Sequence, residues 1–389
     1  MGLGINRNIL LLSLAFFFIF LGFSGVQQYV TSYFEDAGLS SVGFVSLILI
    51  YVFFTLTSLF SSMILVKIGS RLAMIIGALL YGSYIISLLY PRSWLVYVIS
   101  ALLGVAAGLL WTGQGTYLVR MSSSDSYGKN AGFFNLFFTL GSALSGFLVG
   151  FVAGKWSYQL CFLISALFPI VGFFLLTRLE NVAIAESKDS FQLFVRSLTS
   201  GTAWRLGIAV FAFKLMWGLV IGSIPLLIKE TFGLSWIGII TGIFFVVPLL
   251  SSYFFGLYAD RTDKLRFVLL SFLLPIFGLW CLMYALTGFL LIVGILFLAL
   301  QAAILNPLRQ AMLGDITTDK TLEVLTALFF TLENLGIVTA FVLSLFFSGQ
   351  FLFVVSLGVV LLSIFVMASV YWKGSAVVKE RLNKELLTY

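Results

Sequence analysis

Two charged side chains, Lys214 and Glu333, lie deep within long uncharged apolar runs of this 389-residue sequence. The run holding Lys214 begins near Trp204 and the run holding Glu333 near Glu323. Each charge therefore sits ten residues in, roughly 15 Å at 1.5 Å per helical residue, which is the middle of a hydrocarbon layer about 30 Å thick. A central Lys or Asp in such a run costs about 2.5–3.5 kcal/mol even on insertion scales. Two opposite charges at a common depth are then either a structural ion pair that locks two helices, or a coupling pair. In the second case Glu333 takes up a proton, or releases Lys214 to an anionic ligand, during a working cycle. Arg309 lies closer to the end of its run and is expected to snorkel to the interface.

Large polar groups elsewhere in the apolar runs are few. They are Gln27 and Gln28 in the first, Trp111, Thr112 and Gln114 in the fourth, Gln301, Asn306 and Gln310 in the tenth, and Asn334 beside Glu333. Trp217, one turn beyond Lys214, could floor a cavity or stack on the cation. A lining of amides and aromatics suits a small amphipathic or sugar-like solute, while the plainer role for any one of them is an interhelical hydrogen bond. Pro307, after Asn306, removes a rung of the helical ladder and leaves a carbonyl for a ligand or a hinge. Gly146, Gly150 and Gly154, like Gly104 and Gly108, have the spacing that lets helix backbones approach closely. The chain has no His, no phosphate-binding Gly-rich loop and no Cys cluster; Cys161 and Cys281 stand alone inside spans. An ATP-driven pump or an intramembrane metalloenzyme is not expected, nor any cofactor or metal.

The elements that position these residues follow from composition. With 61% hydrophobic and 10% charged residues, the chain cannot clothe a soluble core, whereas a bilayer removes the need for a polar shell. A soluble enzyme, a disordered chain and a nucleic-acid binder are excluded. Apolar runs predict twelve transmembrane helices, here called spans 1 to 12, at 9–34, 42–66, 72–90, 94–119, 130–154, 157–177, 204–229, 235–257, 267–287, 289–313, 323–348 and 351–372. If the N-terminus is cytoplasmic, 18 of the 22 basic residues fall on the cytoplasmic side, so the positive-inside rule predicts both termini there. The net charge of +7 is an orientation signal and not the mark of a polyanionic partner. Trp94, Trp156 and Trp236 near one set of span ends, and Trp204 and Trp372 near the other, read as interfacial belts. Span 1, after Arg7, is too long for a signal-peptide core and reads as retained. The absence of an Asn-x-Ser/Thr sequon, with very short outer loops, favours a prokaryotic plasma membrane.

The polar stretch around 179–203 divides the chain into a first bundle at 1–178 and a second at 204–373, followed by a tail at 374–389. Within the linker, Phe191, Phe194, Val195 and Leu198 oppose Gln192 and Arg196, as in an interfacial helix. In the tail, Val378, Leu382 and Leu386 oppose Lys379, Arg381 and Lys384, which predicts a helix lying on the anionic inner leaflet. The halves repeat. Gly38-Leu39-Ser40-Ser41-Val42-Gly43 matches Gly233-Leu234-Ser235-Trp236-Ile237-Gly238, and Phe137-Phe138-Thr139-Leu140 matches Phe329-Phe330-Thr331-Leu332. These registers set Lys214 against Ile19 and Glu333 against Gly141. Parallel six-helix repeats joined by a cytoplasmic linker resemble the major facilitator superfamily. So does the loop Gly256-Leu257-Tyr258-Ala259-Asp260-Arg261-Thr262-Asp263-Lys264-Leu265-Arg266. Its counterpart, Lys67-Ile68-Gly69-Ser70-Arg71, lacks the acidic residue.

The stretch Leu110-Trp111-Thr112-Gly113-Gln114-Gly115-Thr116-Tyr117-Leu118 resembles the Unc-ninety-three-like branch of that superfamily, as do 69–81 and Gln27-Gln28. The resemblance implies an all-α membrane protein of two six-helix bundles in which spans 1, 4, 7 and 10 line a central cavity. The candidate lining is Gln27, Gln28, Trp111, Gln114, Trp217, Gln301, Asn306 and Asn334, around the pair Lys214 and Glu333. In the gating loop, Asp260, with Arg261 and Arg266 beside it, could rest against the N-terminal amides of span 5 near Asn130, worth roughly 0.3–1 kcal/mol. Two functions are implied. One is a monomeric secondary transporter that moves a small-molecule substrate by alternating access, with protons as possible coupling ions through Glu333. The other is a regulator or chaperone that does not transport and binds another membrane protein. The lipid bilayer is a partner under both, and nucleic acid under neither.

Overall fold

The computed structural model describes residues 6–122, 127–181, 196–259, 262–285 and 287–387. Among them there is no strand, and twelve helical segments are long and apolar enough to cross a membrane. The first six spans are α1 (Arg7–Asp36), α2 (Ser40–Ile68), α3 (Ser70–Ser87), α4 (Ser93–Arg120), α5 (Tyr127–Lys155) and α6 (Tyr158–Leu176). Local chemistry sets their ends. The Asn6 side chain accepts from the Asn8 N–H to start α1, and Ser157 accepts from Leu160 N–H to start α6, each satisfying a donor that the first turn leaves free. Gly69, at φ +80°, makes the one-residue joint between α2 and α3, a conformation that side-chain-bearing residues avoid.

Span 7 is two helices, α7 (Gly201–Gly222) and α8 (Ile224–Phe232), and span 9 is α10 (Lys264–Ser271) and α11 (Leu273–Met283), where one continuous helix was expected for each. Both breaks stand just before a proline, Pro225 and Pro275, whose missing N–H leaves the carbonyl four residues back without its partner. The remaining spans are α9 (Leu234–Ala259), α12 (Gly288–Ile316), α13 (Asp319–Phe346) and α14 (Gly349–Tyr371). Helix α12 runs unbroken past position 307. A last helix, α15 (Ser375–Leu387), follows Gly374 at φ +83°.

Packing forms two compact units. The first comprises residues 1–186 and 221–246, so that α8 and the first half of α9 pack with the first six spans. Thr31 Oγ1 donates to the Gly222 carbonyl at 2.9 Å, and Tyr29 donates to the Leu234 carbonyl at 2.8 Å while accepting from the Gly238 N–H at 3.0 Å. Lys229 bonds Glu35 at 3.0 Å and also Asp36, to which Tyr158 donates at 2.8 Å. The small-residue stripe of α5 serves this packing. A methyl group on Gly146 would stand 2.7 Å from the Gly242 nitrogen, one on Gly150 2.8 Å from the Ser235 carbonyl, and one on Gly238 on the backbones of Gly146 and Gly150. The same logic joins α4 to α2, where Gly108 faces Thr57.

The second unit comprises 187–220 and 247–389. Helix α11 packs on α12 and α14, and Tyr371 at the end of α14 donates to the Leu206 carbonyl of α7 at 2.7 Å. The tail departs from expectation. Val378, Leu382 and Leu386 are buried at 0–1% exposure, and α15 packs on α12 and α14. The apolar face expected to meet lipid is covered by protein. Residues 191–195 of the expected linker helix lie outside the described residues; Arg196 and Leu198, in the single helical turn 196–199, are exposed.

Candidate functional site

In the second unit, α7, α12 and α13 bring three charged side chains together. Glu333 is the most enclosed, with 5% of its side chain exposed, against 20% for Lys214 and 20% for Arg309. One carboxylate oxygen, Oε1, accepts from Arg309 Nη1; the other, Oε2, lies 3.9 Å from Lys214 Nζ. The first contact is a charge-assisted hydrogen bond, and the second is too long to be one. Arg309 therefore does not snorkel away: it is the direct partner of Glu333, and its guanidinium lies 5.1 Å from the Phe330 ring. The Lys214 ammonium lies over Trp217 at 5.1 Å and Phe213 at 5.2 Å, in the range of cation–π attraction. Phe213, Leu305, Arg309, Met312 and Tyr371 bound a cavity of about 10 Å³, room for no more than one water.

The carbon frame that sets these distances is built from glycines. Gly218, one turn beyond Lys214, is so close to α13 that a methyl would stand 2.9 Å from the Ile337 carbonyl, and Gly336 abuts the Phe211 carbonyl. The first unit repeats this frame. There Gly141 abuts the Phe17 carbonyl as Gly336 abuts that of Phe211. Arg71 likewise donates to the Thr177 carbonyl as Arg266 donates to that of Trp372, at positions 195 residues further on. Gly141 thus pairs with Gly336 and not with Glu333, a correction of three residues to the sequence register in this helix. With a shift of 195 residues Glu333 corresponds to Phe138 and Arg309 to Gln114; with the shift of 194 that Phe17 and Phe211 set for α1 and α7, Lys214 corresponds to Phe20 and not to Ile19. Phe20 and Phe138 meet edge to face at 4.7 Å, with Trp111 at 5.3 and 5.2 Å from them. An aromatic cluster occupies in one unit the place that ions occupy in the other.

The other candidates divide. Gln27 donates to the Tyr51 hydroxyl at 3.1 Å, and Trp111 is packed among Phe16, Phe20 and Phe138. Gln28 and Gln114 are buried, the Gln28 Oε1 without a hydrogen-bond partner among the described residues. Among the described residues Gln301 is fully enclosed with neither amide atom bonded, and Asn334, 3% exposed, has its Nδ2 unbonded; Asn306 is exposed. Of the gating loop, Asp260 and Arg261 lie outside the described residues. Arg266 donates through Nε to the Trp372 carbonyl at 3.3 Å and lies over that indole. Two acidic residues had no sequence-derived role. Asp263 accepts from Arg266 N–H at 3.1 Å and Ser375 N–H at 3.0 Å, starting both α10 and the tail helix. Glu385 accepts from the Ser200 hydroxyl and from the Thr202 hydroxyl and N–H, the last at 3.2 Å, capping α7. Asp263 could have been recognised from its position three residues before Arg266; the Glu385 partnership spans the whole second unit and leaves no local trace.

Known proteins resemble the chain in two ways. The family model for the ion channel regulatory protein UNC-93 matches residues 38–139, and that for the Major Facilitator Superfamily matches 206–386. UNC93-like protein MFSD11 of Xenopus tropicalis is 35% identical over 130 residues, which are 33% of this chain and 29% of that one. UNC93-like protein 3 of Arabidopsis thaliana is 34% identical over 122 residues, 31% of this chain and 25% of that one. The putative potassium channel regulatory protein unc-93 of Caenorhabditis elegans is 31% identical over 118 residues, 30% and 16%. The chain thus spans less than a third of the length of these relatives. They come from animals and a plant, and lend no support to the expected prokaryotic membrane. Solved structures agree along the whole chain. A POT family transporter in complex with 5-aminolevulinic acid superposes with a TM-score of 0.77 at 13% identity, over 97% of this chain and 98% of that one. A D-xylose–proton symporter gives 0.72 at 14%, over 92% and 96%. With that fold from end to end, and a family model on either side of its centre, the chain is a multi-pass membrane protein with the major facilitator fold, similar to UNC-93 over 38–139 and to the Major Facilitator Superfamily over 206–386.

Proposed function

We propose that the protein is a secondary transporter that moves a small solute across its membrane by alternating access, with both termini in the cytoplasm. The observation that carries this reading is the trio of Lys214, Arg309 and Glu333 within three spans, where charge is expensive and a packing role could be filled by apolar residues. Fold-level likeness to transporters raises the expectation without naming the cargo. Glu333 is the candidate coupling group, since a proton on it would cancel its hold on both cations at once. Uptake into proteoliposomes under an imposed pH gradient, screened over a metabolite panel, tests the reading. Glu333→Gln should uncouple uptake from the gradient; undiminished, still proton-driven uptake by that variant removes Glu333 from the coupling role.

A second reading has its own support. The aromatic cluster of Phe20, Phe138 and Trp111 fills with rings the place where the second unit carries ions, and the UNC-93 match falls on this half. A regulator or chaperone that binds another membrane protein through lipid-facing helices would need no solute path through that region. Cross-linking in native membranes, with one stoichiometric membrane-protein partner and no solute uptake, would favour it.

A further inference from the structure

The ion trio is unbalanced. Two cations face one carboxylate, and Arg309 takes up that carboxylate directly, leaving Lys214 3.9 Å away. Among the described residues the Lys214 ammonium has no hydrogen-bond acceptor; its near neighbours are the faces of Trp217 and Phe213. A cation with three unmet donors is costly to hold inside a span. It is tolerated where an acceptor comes from outside the chain, and a fifth of this side chain is open to such a visitor. Because the trio carries one net positive charge, an anion would neutralise it and a cation would be repelled. A neutral solute would leave the excess charge in place.

We propose that Lys214 binds the acid group of a small solute bearing a single net negative charge, such as a monocarboxylate, with Glu333 as the internal competitor for the same ammonium. This inference rests on the transporter reading and names its substrate class. On binding, the solute's carboxylate replaces the long contact to Glu333 with a direct hydrogen bond, and Arg309 keeps Glu333 compensated. Solutes without an acid group are discriminated against because they leave the Lys214 donors unpaired.

The test uses purified protein in zwitterionic phosphatidylcholine nanodiscs, with acetate, lactate and inorganic phosphate as probes and with glucose and tetramethylammonium as controls. Thermal unfolding against probe concentration is the readout. The expected result is a saturable rise in Tm with the anions and none with the controls. Lys214→Ala and Lys214→Met should weaken anion binding by at least about tenfold, Lys214→Arg should preserve it, and Glu333→Gln should tighten it by about tenfold or more, the repelling carboxylate being gone. Anion binding that survives both Lys214→Ala and Lys214→Met overturns the inference, as does a saturable effect of glucose or tetramethylammonium, or no effect of any anion. If added phosphatidylglycerol abolishes the anion effect, the site belongs to a lipid headgroup and the free-solute reading is overturned. Counterflow in proteoliposomes separates the two levels. Exchange of a neutral solute, equal in wild type and Lys214→Ala, sinks the anion inference but leaves transport standing, whereas no exchange of any solute class sinks the transporter reading itself.

Discussion

Replacing Arg309 by Met should destabilise the protein far more than replacing Lys214 by Met, although both remove a cation from the same carboxylate. Glu333 has 5% of its side chain exposed and accepts a hydrogen bond from Arg309. Removing one partner of such a buried pair costs about 3–5 kcal/mol, because the remaining charge is stranded. Lys214 stays at 3.9 Å and contributes an attraction of about 4 kcal/mol at an effective dielectric constant near 20. Because that attraction survives in Arg309→Met, although it brings no hydrogen bond, the loss should lie near the lower end, about 3 kcal/mol. For Lys214→Met the same attraction is lost, but so is the several-kcal/mol penalty of holding an ammonium out of water, and the net change should fall within about 1 kcal/mol of zero. Thermal unfolding in detergent, at about 2–4 °C per kcal/mol for a bundle of this size, should show a fall in Tm of about 6–12 °C for Arg309→Met and little for Lys214→Met. Adding Glu333→Gln to Arg309→Met should restore most of the loss, since no charge is then stranded. Equal losses in the two single variants, or a double variant worse than Arg309→Met, would refute the assignment of Arg309 as the direct partner.

Three further outcomes follow from the packing and the tail. Gly238→Ala places a methyl on the backbones of Gly146 and Gly150 and should destabilise by at least about 1–3 kcal/mol through overpacking, read as a lowered Tm; an unchanged Tm would mean that α5 and α9 do not meet there. Tyr29→Phe removes a donor from the Leu234 carbonyl and an acceptor from the Gly238 N–H and should cost about 1–3 kcal/mol for the groups left unpaired, with Tyr29→Leu costing more. Burial tends to raise the Glu385 carboxyl, but hydrogen bonds from Ser200 and Thr202, with Arg381 nearby, outweigh it and hold the group below its ordinary value. Its contribution to stability is therefore present above the ordinary carboxylate range and is lost as pH falls through and below that range. Because the side chain is exposed, that contribution is no more than about 1 kcal/mol; Glu385→Gln should lower Tm slightly at neutral pH and flatten its fall towards acid.

The twelve spans are legible because each is an unbroken apolar run, and their ends fall at residues with local signatures, such as Gly69, Ser157 and Gly233. The pairing of Lys214 with Glu333 is legible for a similar reason: a charge far from either end of such a run has few places to go. Arg309 was misread because it stands seven residues from the end of α12, within reach of the interface, and what it meets depends on how closely α13 approaches. An amphipathic pattern shows that one face of the tail is apolar, but the pattern is the same whether lipid or protein covers it. The repeat was read correctly at Gly38 and Gly233 and misaligned at Phe137 and Phe329, because chance matches are frequent in Phe- and Leu-rich helices. Backbone contacts at Gly141 and Gly336 carry no such ambiguity.

The capping of α7 by Glu385 has a consequence for how the protein is made. Thr202 and its cap are separated by 183 residues, so the ribosome must complete five more spans before the carboxylate emerges. Throughout that time the first turn of the helix that carries Lys214 has only its local cap, the Ser200 hydroxyl that accepts from the Ala203 N–H at 3.0 Å. A nascent chain halted after span 12 would hold all twelve described spans and all three ions, yet would lack the acceptor that Glu385 gives the Thr202 N–H. The tail helix, which crosses no membrane, thus completes the hydrogen bonding at the start of a span read 183 residues earlier.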